Sequence, residues 1–405
     1  MKAGVARWIL VALLISAIVV GCAPTPPPAP EAINIGAVVP LTGKYAGGGA
    51  QVKAGYEFAV EDINAAGGVF VKEYNKKIPL KLNLLDDESD PTKTVSRLET
   101  LYAENVVAYL GGFGSDLHAA AAAIAEKNKV PYIGVAFALW KIHQQGYKYL
   151  FSPFWKSPDL GKGVYEFLNE LIPEGERPTK VAIFQEKTDW GIELGGLWKE
   201  NAPEYGYEVV VYEEYTPRAK DFSDIILKAK EAGAEAVLAL PNPPDGIALF
   251  KQMSELGFNA KFYFFIRAPD PAPWGKTLGK VGDYVTLAPG WHHGMDFPGV
   301  KELNEKHQAQ FGRPADVMVG PAYACVQILA DAIERAGTLD RDKIRDAIAA
   351  TDMTTVIGSV TFREDGTGVV LGPIVQWQEG KTELVWPTEF ATAPFVYPAP
   401  EWDKR

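Results

Sequence analysis

From Ile33 onward, short β-branched and aromatic runs alternate with amphipathic helical stretches; the series then halts and starts afresh. Residues 33–39 read as a buried strand. Residues 51–65 space their apolar side chains three and four apart, as one face of a helix requires, and Gly67-Gly68 stops them. A strand at 78–85 follows, and Asp90-Pro91 places an N-cap before a proline at the first helical position, opening a helix through Tyr102. A strand at 106–111, a helix at 117–128 and a strand at 130–135 complete the first series. The second has strands at 180–185, 208–212, 236–240 and 261–266, separated by helices at 191–201, 221–231 and 245–256. Such alternation builds parallel sheets with helices on both faces, so two α/β units are expected. From Gly299 the pattern gives helices at 300–311, 321–336 and 339–350, then strand-like pieces at 359–362 and 373–377.

Composition agrees with two packed units. A chain of 405 residues with 47% hydrophobic and 22% charged residues can bury a large core. Its formal net charge of −11 argues against general affinity for nucleic acid or for anionic lipid headgroups, both of which need clustered Lys and Arg.

The first 21 residues have the order of an export signal: Lys2 and Arg7, then an apolar run from Trp8 to Val20. That run is short for a permanent membrane span, which needs about 20 apolar residues. Val19-Val20-Gly21-Cys22 resembles the bacterial lipobox, which implies a diacylglyceryl group on Cys22 and cleavage just before it. Residues 22–32, rich in proline, read as a stiff, solvated tether. With Cys22 lipidated, Cys325 has no disulfide partner and reads as a buried small hydrophobe in an apolar helix.

Motifs for chemistry are absent. His292-His293 are adjacent rather than at metal-ligand spacing, and Asp86, Asp87, Glu88 and Asp90 lack the pattern of a calcium loop. Gly47-Gly48-Gly49 lacks the residues of a phosphate-binding loop and reads as a flexible cleft-edge segment. No nucleophile elbow, zinc-protease or dithiol motif occurs, so no enzyme activity, cofactor or metal is expected.

Three segments carry a resemblance: Ile35-Gly36-Ala37-Val38-Val39-Pro40-Leu41-Thr42-Gly43, Ala59-Val60-Glu61-Asp62-Ile63-Asn64-Ala65-Ala66-Gly67-Gly68, and Asp86-Asp87-Glu88-Ser89-Asp90-Pro91. With Asp189-Trp190-Gly191 and Ala219-Lys220-Asp221-Phe222-Ser223 further along, the chain resembles the type I periplasmic solute-binding proteins of ABC importers, in the leucine/isoleucine/valine-binding branch. The resemblance implies two doubly wound parallel-sheet lobes joined by a three-crossover hinge. Lobe one is expected at 33–155 plus 289–359, lobe two at 156–288 plus 360–395, and a tail at 396–405. Ligand would enter the cleft at the carboxyl ends of the sheets, where open parallel sheets bind on general grounds.

The loop 111–116 precedes an alanine-rich helix whose free amides and dipole can seat a carboxylate. By resemblance, Ser115, with Gly114 beside it, matches the family's carboxylate-binding serine; simple helix capping is the alternative, and Asp116 brings a charge that would repel an anion. Ala136, Phe137 and Ala138 follow the next strand. Ala138 stands where the family has a threonine, leaving backbone groups and Phe137 packing. Trp190 matches a tyrosine that covers the ligand. Asn242 falls near a second family tyrosine, or else serves a turn. Where amino-acid binders place a glutamate for the ligand's ammonium, the chain reads Ile266-Arg267-Ala268-Pro269-Asp270. Isoleucine cannot neutralise an ammonium and arginine would repel it. Asp270 serves if the loop register slips, whereas Arg267 paired with a carboxylate points to an organic acid, aromatic acids included.

The expected function is therefore that of a lipid-anchored, extracytoplasmic solute-binding subunit. It would capture a small carboxylated ligand, either an apolar amino acid or an aromatic or organic acid, by inter-lobe closure and deliver it to ABC permease and ATPase subunits. The membrane would be met through the lipid anchor only. A receptor of the same fold that signals rather than transports is the alternative, and an exported enzyme a distant third.

Overall fold

The computed structural model describes residues 28–405. The expected leader at 1–21, Cys22 and the tether up to residue 27 lie outside the described residues. In the first series, β1 (Ile33–Val39) leads into helix α1 (Ala46–Ala65), and a hairpin of β2 (Val69–Val71) and β3 (Lys76–Ile78) precedes β4 (Leu80–Asp86). Helix α2 (Pro91–Ala103), β5 (Tyr109–Leu110), α3 (Ser115–Asn128), β6 (Tyr132–Ile133) and β7 (Leu150–Phe151) follow. The five sheet strands run parallel in the order β4-β1-β5-β6-β7. Asp90 caps α2 as the Asp-Pro pair predicts, accepting from the Thr92 and Lys93 amides.

The second series begins with α4 (Ser157–Leu171), which the sequence reading did not assign, then β8 (Lys180–Glu186), α5 (Asp189–Asn201), β9 (Glu208–Tyr215) and α6 (Ser223–Glu231). It continues through β10 (Ala236–Ala239), α7 (Pro243–Glu255), β11 (Phe262–Phe265), α8 (Pro273–Leu278) and β12 (Thr286–Leu287). The chain then returns to the first lobe with α9 (Val300–Phe311), α10 (Val319–Ala336) and α11 (Arg341–Ala349). A small antiparallel sheet of β13 (Asp352–Thr355), β14 (Gly358–Phe362) and β15 (Gly368–Val369) precedes a last crossing to β16 (Ile374–Gln378) and β17 (Lys381–Trp386). The second sheet has the order β17-β16-β12-β11-β10-β8-β9, parallel except where β16 meets β12 and β17 meets β16. Its central strands Ala236–Ala239 and Phe262–Phe265 are buried throughout, as strands covered on both faces must be.

Three crossings thus join the lobes: between β7 and α4, between β12 and α9, and between β15 and β16. The first and third are laced together, the Ser152 amide donating to the Gly366 carbonyl at 3.0 Å and the Gly368 amide to the Ser152 carbonyl at 2.9 Å. The expected lobe boundary at 359 falls inside β14. Pairing of β14 with β15 carries the chain on to Val369 before it crosses, because cutting there would strand unpaired ladder groups. Residues 399–405 pack on lobe two, where the Arg405 guanidinium stacks 3.6 Å from the Trp402 ring. Cys325 is fully buried on α10, and burial raises its thiol pKa.

Candidate functional site

Six loops at the carboxyl ends of the parallel strands converge between the lobes on a closed-down cavity of about 30 Å³, far smaller than an open ligand site. On lobe one, the chain turns sharply out of β5. Gly114 has φ +115°, and a Cβ there would lie 2.6 Å from the Tyr45 ring, so this turn requires glycine. Helix α3 starts at the next residue. The amides of Ser115 and Asp116 and the Ser115 hydroxyl have no acceptor or donor partner among the described residues, which leaves three dipoles free at a helix N-terminus. One oxygen of the Asp116 carboxylate that would oppose an anion is engaged by Lys44 at 2.8 Å, while Oδ1 is buried without a partner.

Beside this helix start, the 136–138 loop has every carbonyl occupied. Ala136 O accepts from the Gly114 amide at 3.2 Å, Phe137 O from Lys156 Nζ at 2.8 Å, and Ala138 O from both the amide and hydroxyl of Ser157. The amides of Phe137 and Ala138 have no acceptor among the described residues. A loop with its acceptors spent and its donors free favours an anion over a cation. The Phe137 ring is clamped between His118, at 4.4 Å and nearly parallel, and His143, at 5.6 Å. Burial lowers the pKa of these imidazoles to about 4 and about 3, so both are neutral near pH 7.

The run Gly47-Gly48-Gly49 is the first turn of α1, not a flexible loop. A Cβ at Gly48 would sit 2.5 Å from the Phe113 ring and one at Gly47 2.8 Å from Pro271 of the opposite lobe. Close approach, rather than mobility, is what these glycines provide.

On lobe two, Thr188 caps α5 and sets Trp190 at its second position, where the indole lines the cavity with its N–H unpartnered. The Arg267 guanidinium lies 5.0 Å over that ring. Arg267 also lines the cavity, but its charge is taken by Glu186 at the end of β8, with further bonds to the Leu240 and Pro241 carbonyls. Burial works against the arginine's charge, yet Glu186 outweighs it and the guanidinium's pKa rises. Arg267 is thus committed to an internal carboxylate rather than free for a ligand's. Three residues on, Asp270 lines the same cavity, 7% exposed, with Oδ1 unpartnered. Burial pushes its carboxyl up to about 7, while Arg267 pulls the other way.

Gly114, Ser115, Ala136, Phe137, Ala138, Trp190 and Arg267 therefore surround one cavity. Asn242 does not reach it. Its side chain caps α7, accepting from the Asp245 amide, and donates to Glu186, because the two prolines that follow need a capped, fixed entry. Missed by sequence reading were Glu186, Tyr45, Phe154 and Met318. Glu186 carried a signal, an acid ending an apolar strand at the edge where sites form. The two apolar residues carried none. The lobes touch across the cavity: Arg267 Nη1 donates to Tyr45 Oη at 3.3 Å, and Gln51 Nε2 to the Asp270 carbonyl at 3.2 Å. At the rim, the Glu193 carboxylate accepts from the amides of Trp140 and Lys141, both at 2.8 Å. The cleft is closed. Among the described residues no cluster of His, Cys, Asp or Glu is placed to hold a metal.

The family model described as periplasmic binding protein matches residues 32–382. The Leu/Ile/Val-binding protein homolog 3 of Brucella melitensis is 28% identical over 86% of this chain and 92% of its own length. The leucine-, isoleucine-, valine-, threonine- and alanine-binding protein of Pseudomonas aeruginosa is 27% identical, over 84% and 87%. A crystal structure of a leucine-binding protein from Thermotoga maritima superposes with a TM-score of 0.78 at 23% identity, covering 88% of this chain and 99% of that one. No helix among the described residues is long and apolar enough to cross a membrane. Two α/β lobes closed on a shared cavity, together with a match spanning nearly the whole folded part, place this chain in the periplasmic binding protein family, a family of solute-binding proteins rather than enzymes, among relatives of the leucine/isoleucine/valine-binding branch.

Proposed function

We propose that the protein is the extracytoplasmic binding subunit of an ABC importer, anchored through Cys22, and that its cleft captures a neutral, apolar α-amino acid. The observation that carries this reading is the unpartnered Asp270 carboxylate, which shares one closed cavity with Ser115, Phe137 and Ala138, whose amides are free. An anionic group matches the amides and a cationic group matches Asp270, so the complementary guest is a zwitterion. Apart from Trp190 and the Glu186-paired Arg267, the rest of the wall is apolar: Phe113, Phe154, Leu160, Ile266, Ala288 and Met318. A charged ligand side chain would find no partner there, and burying it unpaired costs several kcal/mol.

An ammonium near Asp270 also relieves strain already present. Each pKa unit corresponds to about 1.4 kcal/mol, so a carboxyl raised to about 7 stores roughly 4 kcal/mol against ionisation. A cationic partner returns much of that as binding free energy. Because ligand contacts reach both lobes, closure is favoured by differential affinity, and the closed form is what a permease would recognise. Lobe one is assigned to 33–155 plus 289–369 and lobe two to the remainder, with Tyr45, Glu186 and Asp270 added to the site.

Calorimetric titration with L-leucine, L-isoleucine, L-valine and L-alanine, beside the des-amino acid 4-methylpentanoate and benzoate, tests the reading. At least one amino acid should bind, and 4-methylpentanoate should bind at least 100-fold more weakly than leucine. Tighter binding of the des-amino acid or of benzoate would replace the zwitterion reading with that of an organic-acid binder.

A further inference from the structure

Among the described residues, Lys156 is a buried charged group at the hinge to which the site as described gives no role toward ligand. It stands at the first crossing, just before α4, and is 2% exposed. Its Nζ donates to Phe137 O at 2.8 Å and to Ser152 Oγ at 2.7 Å, and lies 3.7 Å from the centre of the Phe137 ring. No carboxylate of the described residues lies within ion-pairing distance of it. The charged and titratable groups around it are His118, His143, Asp159, Glu193, Cys325 and Asp365, at longer range. A buried lysine without a close counter-ion is costly to keep, and burial presses it toward its neutral form.

The placement gives this cost a use. Phe137 C=O and Ala138 N–H belong to one peptide unit. A donor on that oxygen polarises the unit and strengthens the N–H as a donor, the cooperativity expected of hydrogen-bond chains in a low-dielectric interior. Ala138 N–H is one of the free amides of the cavity, and this position has no side-chain hydroxyl to help it. The lysine reaches the oxygen from the start of α4, where the adjacent Ser157 holds Ala138 O. The same segment that carries the chain between lobes therefore fixes two of the loop's three carbonyls.

We propose that Lys156 is a positioning residue for the anion seat, polarising the Phe137–Ala138 peptide toward a ligand carboxylate that in turn supplies the counter-charge the buried amine lacks. The proposal rests on the amino-acid reading of the site. It separates this lysine from a packing element: a structural lysine would affect all ligands equally, whereas this one acts on the carboxylate.

The test compares wild type, Lys156→Met and Lys156→Gln for binding of L-leucine and of L-leucinamide, which lacks the anionic charge, with melting temperatures recorded for each. Lys156→Met should fold but melt below wild type, since it removes an unpaired buried charge yet leaves the Phe137 carbonyl and the Ser152 hydroxyl without their donor. It should bind leucine about tenfold more weakly while leucinamide changes less than about twofold, the scale of one charge-assisted hydrogen bond. Lys156→Gln, which keeps a neutral donor, should fall between. Equal losses for both ligands, or unchanged leucine binding in a folded Lys156→Met protein, overturns the proposal while leaving the site reading intact. Should Lys156→Met not fold, Lys156→Gln alone decides by the same leucine-to-leucinamide ratio. Wild type that binds no neutral amino acid overturns the site reading and this proposal together.

Discussion

Under the proposed zwitterion reading, the two walls of the cleft would meet opposite ends of one guest by different physics. Lobe one offers uncharged dipoles: the first amides of α3 and the amides of the 136–138 loop, all fixed by backbone geometry and by carbonyls already bonded elsewhere. Lobe two offers formal charges, a closed Glu186–Arg267 pair and, beside it, the lone Asp270. Dipoles held by a folded backbone lose little by being buried, since they cannot ionise and are preorganised. A buried charge loses a great deal unless something neutralises it. The anion seat should therefore be ready before ligand arrives and tolerant of side-chain change, while the cation seat should be sensitive to every change.

The sharpest way to break that contrast is Glu186→Ala. Arg267 would be left buried beneath Tyr45 and over Trp190 without its partner, and removing one member of a buried pair costs about 3–5 kcal/mol. Urea denaturation should show that loss. A change under about 1 kcal/mol would mean that Arg267 can leave the cavity for solvent, and lobe two would then not be charge-locked.

Next in size is Asp270→Asn. Amino-acid affinity should fall by about 2–5 kcal/mol, with 4-methylpentanoate unaffected. The carboxyl also sets a pH dependence whose sign follows from its direction. Asp270 holds its proton up to about pH 7 in the ligand-free closed form, and an ammonium partner favours the ionised form. Binding therefore releases a proton below that pH. Affinity should rise as pH goes from 5 to 7, approaching tenfold per unit, then level off. Stability of the ligand-free closed form runs the other way. The folded protein binds more protons than the unfolded chain between pH 3.8 and about 7, so this group's contribution is lost as pH rises through that window. Calorimetry of wild type and Asp270→Asn across pH 5–8 checks both, and a flat wild-type profile would remove Asp270 from the ligand.

How far the sequence carried this contrast follows the same division. The dipole wall was legible because its signals are local: a glycine turn out of a strand, a serine at a helix start, a short apolar loop after the next strand. The charged wall was not, because its meaning depends on which charges meet. Arg267 read as a free cation, and only the fold brings Glu186 against it from a strand 81 residues away in sequence. Asn242 read either as a match to a family tyrosine or as a turn residue, and helix capping claimed its side chain. Helix α4 escaped notice since Gly161 and Gly163 interrupt its pattern, although Ser157-Pro158 marks its start. The hinge lysine, too, carries no signal in the sequence, because only the crossing buries it.

Ser115→Ala is the smallest and most discriminating change, because it asks whether the anion seat is backbone or side chain. The hydroxyl has no partner among the described residues in the ligand-free cavity, so its removal leaves no broken network behind and stability should stay within about 0.5 kcal/mol. On binding, one neutral hydrogen bond of about 0.5–1.5 kcal/mol is lost, roughly a two- to tenfold weaker leucine affinity by calorimetry. The free amides and the α3 dipole remain, since alanine leaves the backbone of the first turn as it was. A loss beyond about 100-fold would show that the hydroxyl, not the row of amides, carries the carboxylate. Lobe one would then depend on a single side chain as lobe two does, and the contrast between a dipole wall and a charged wall would fail.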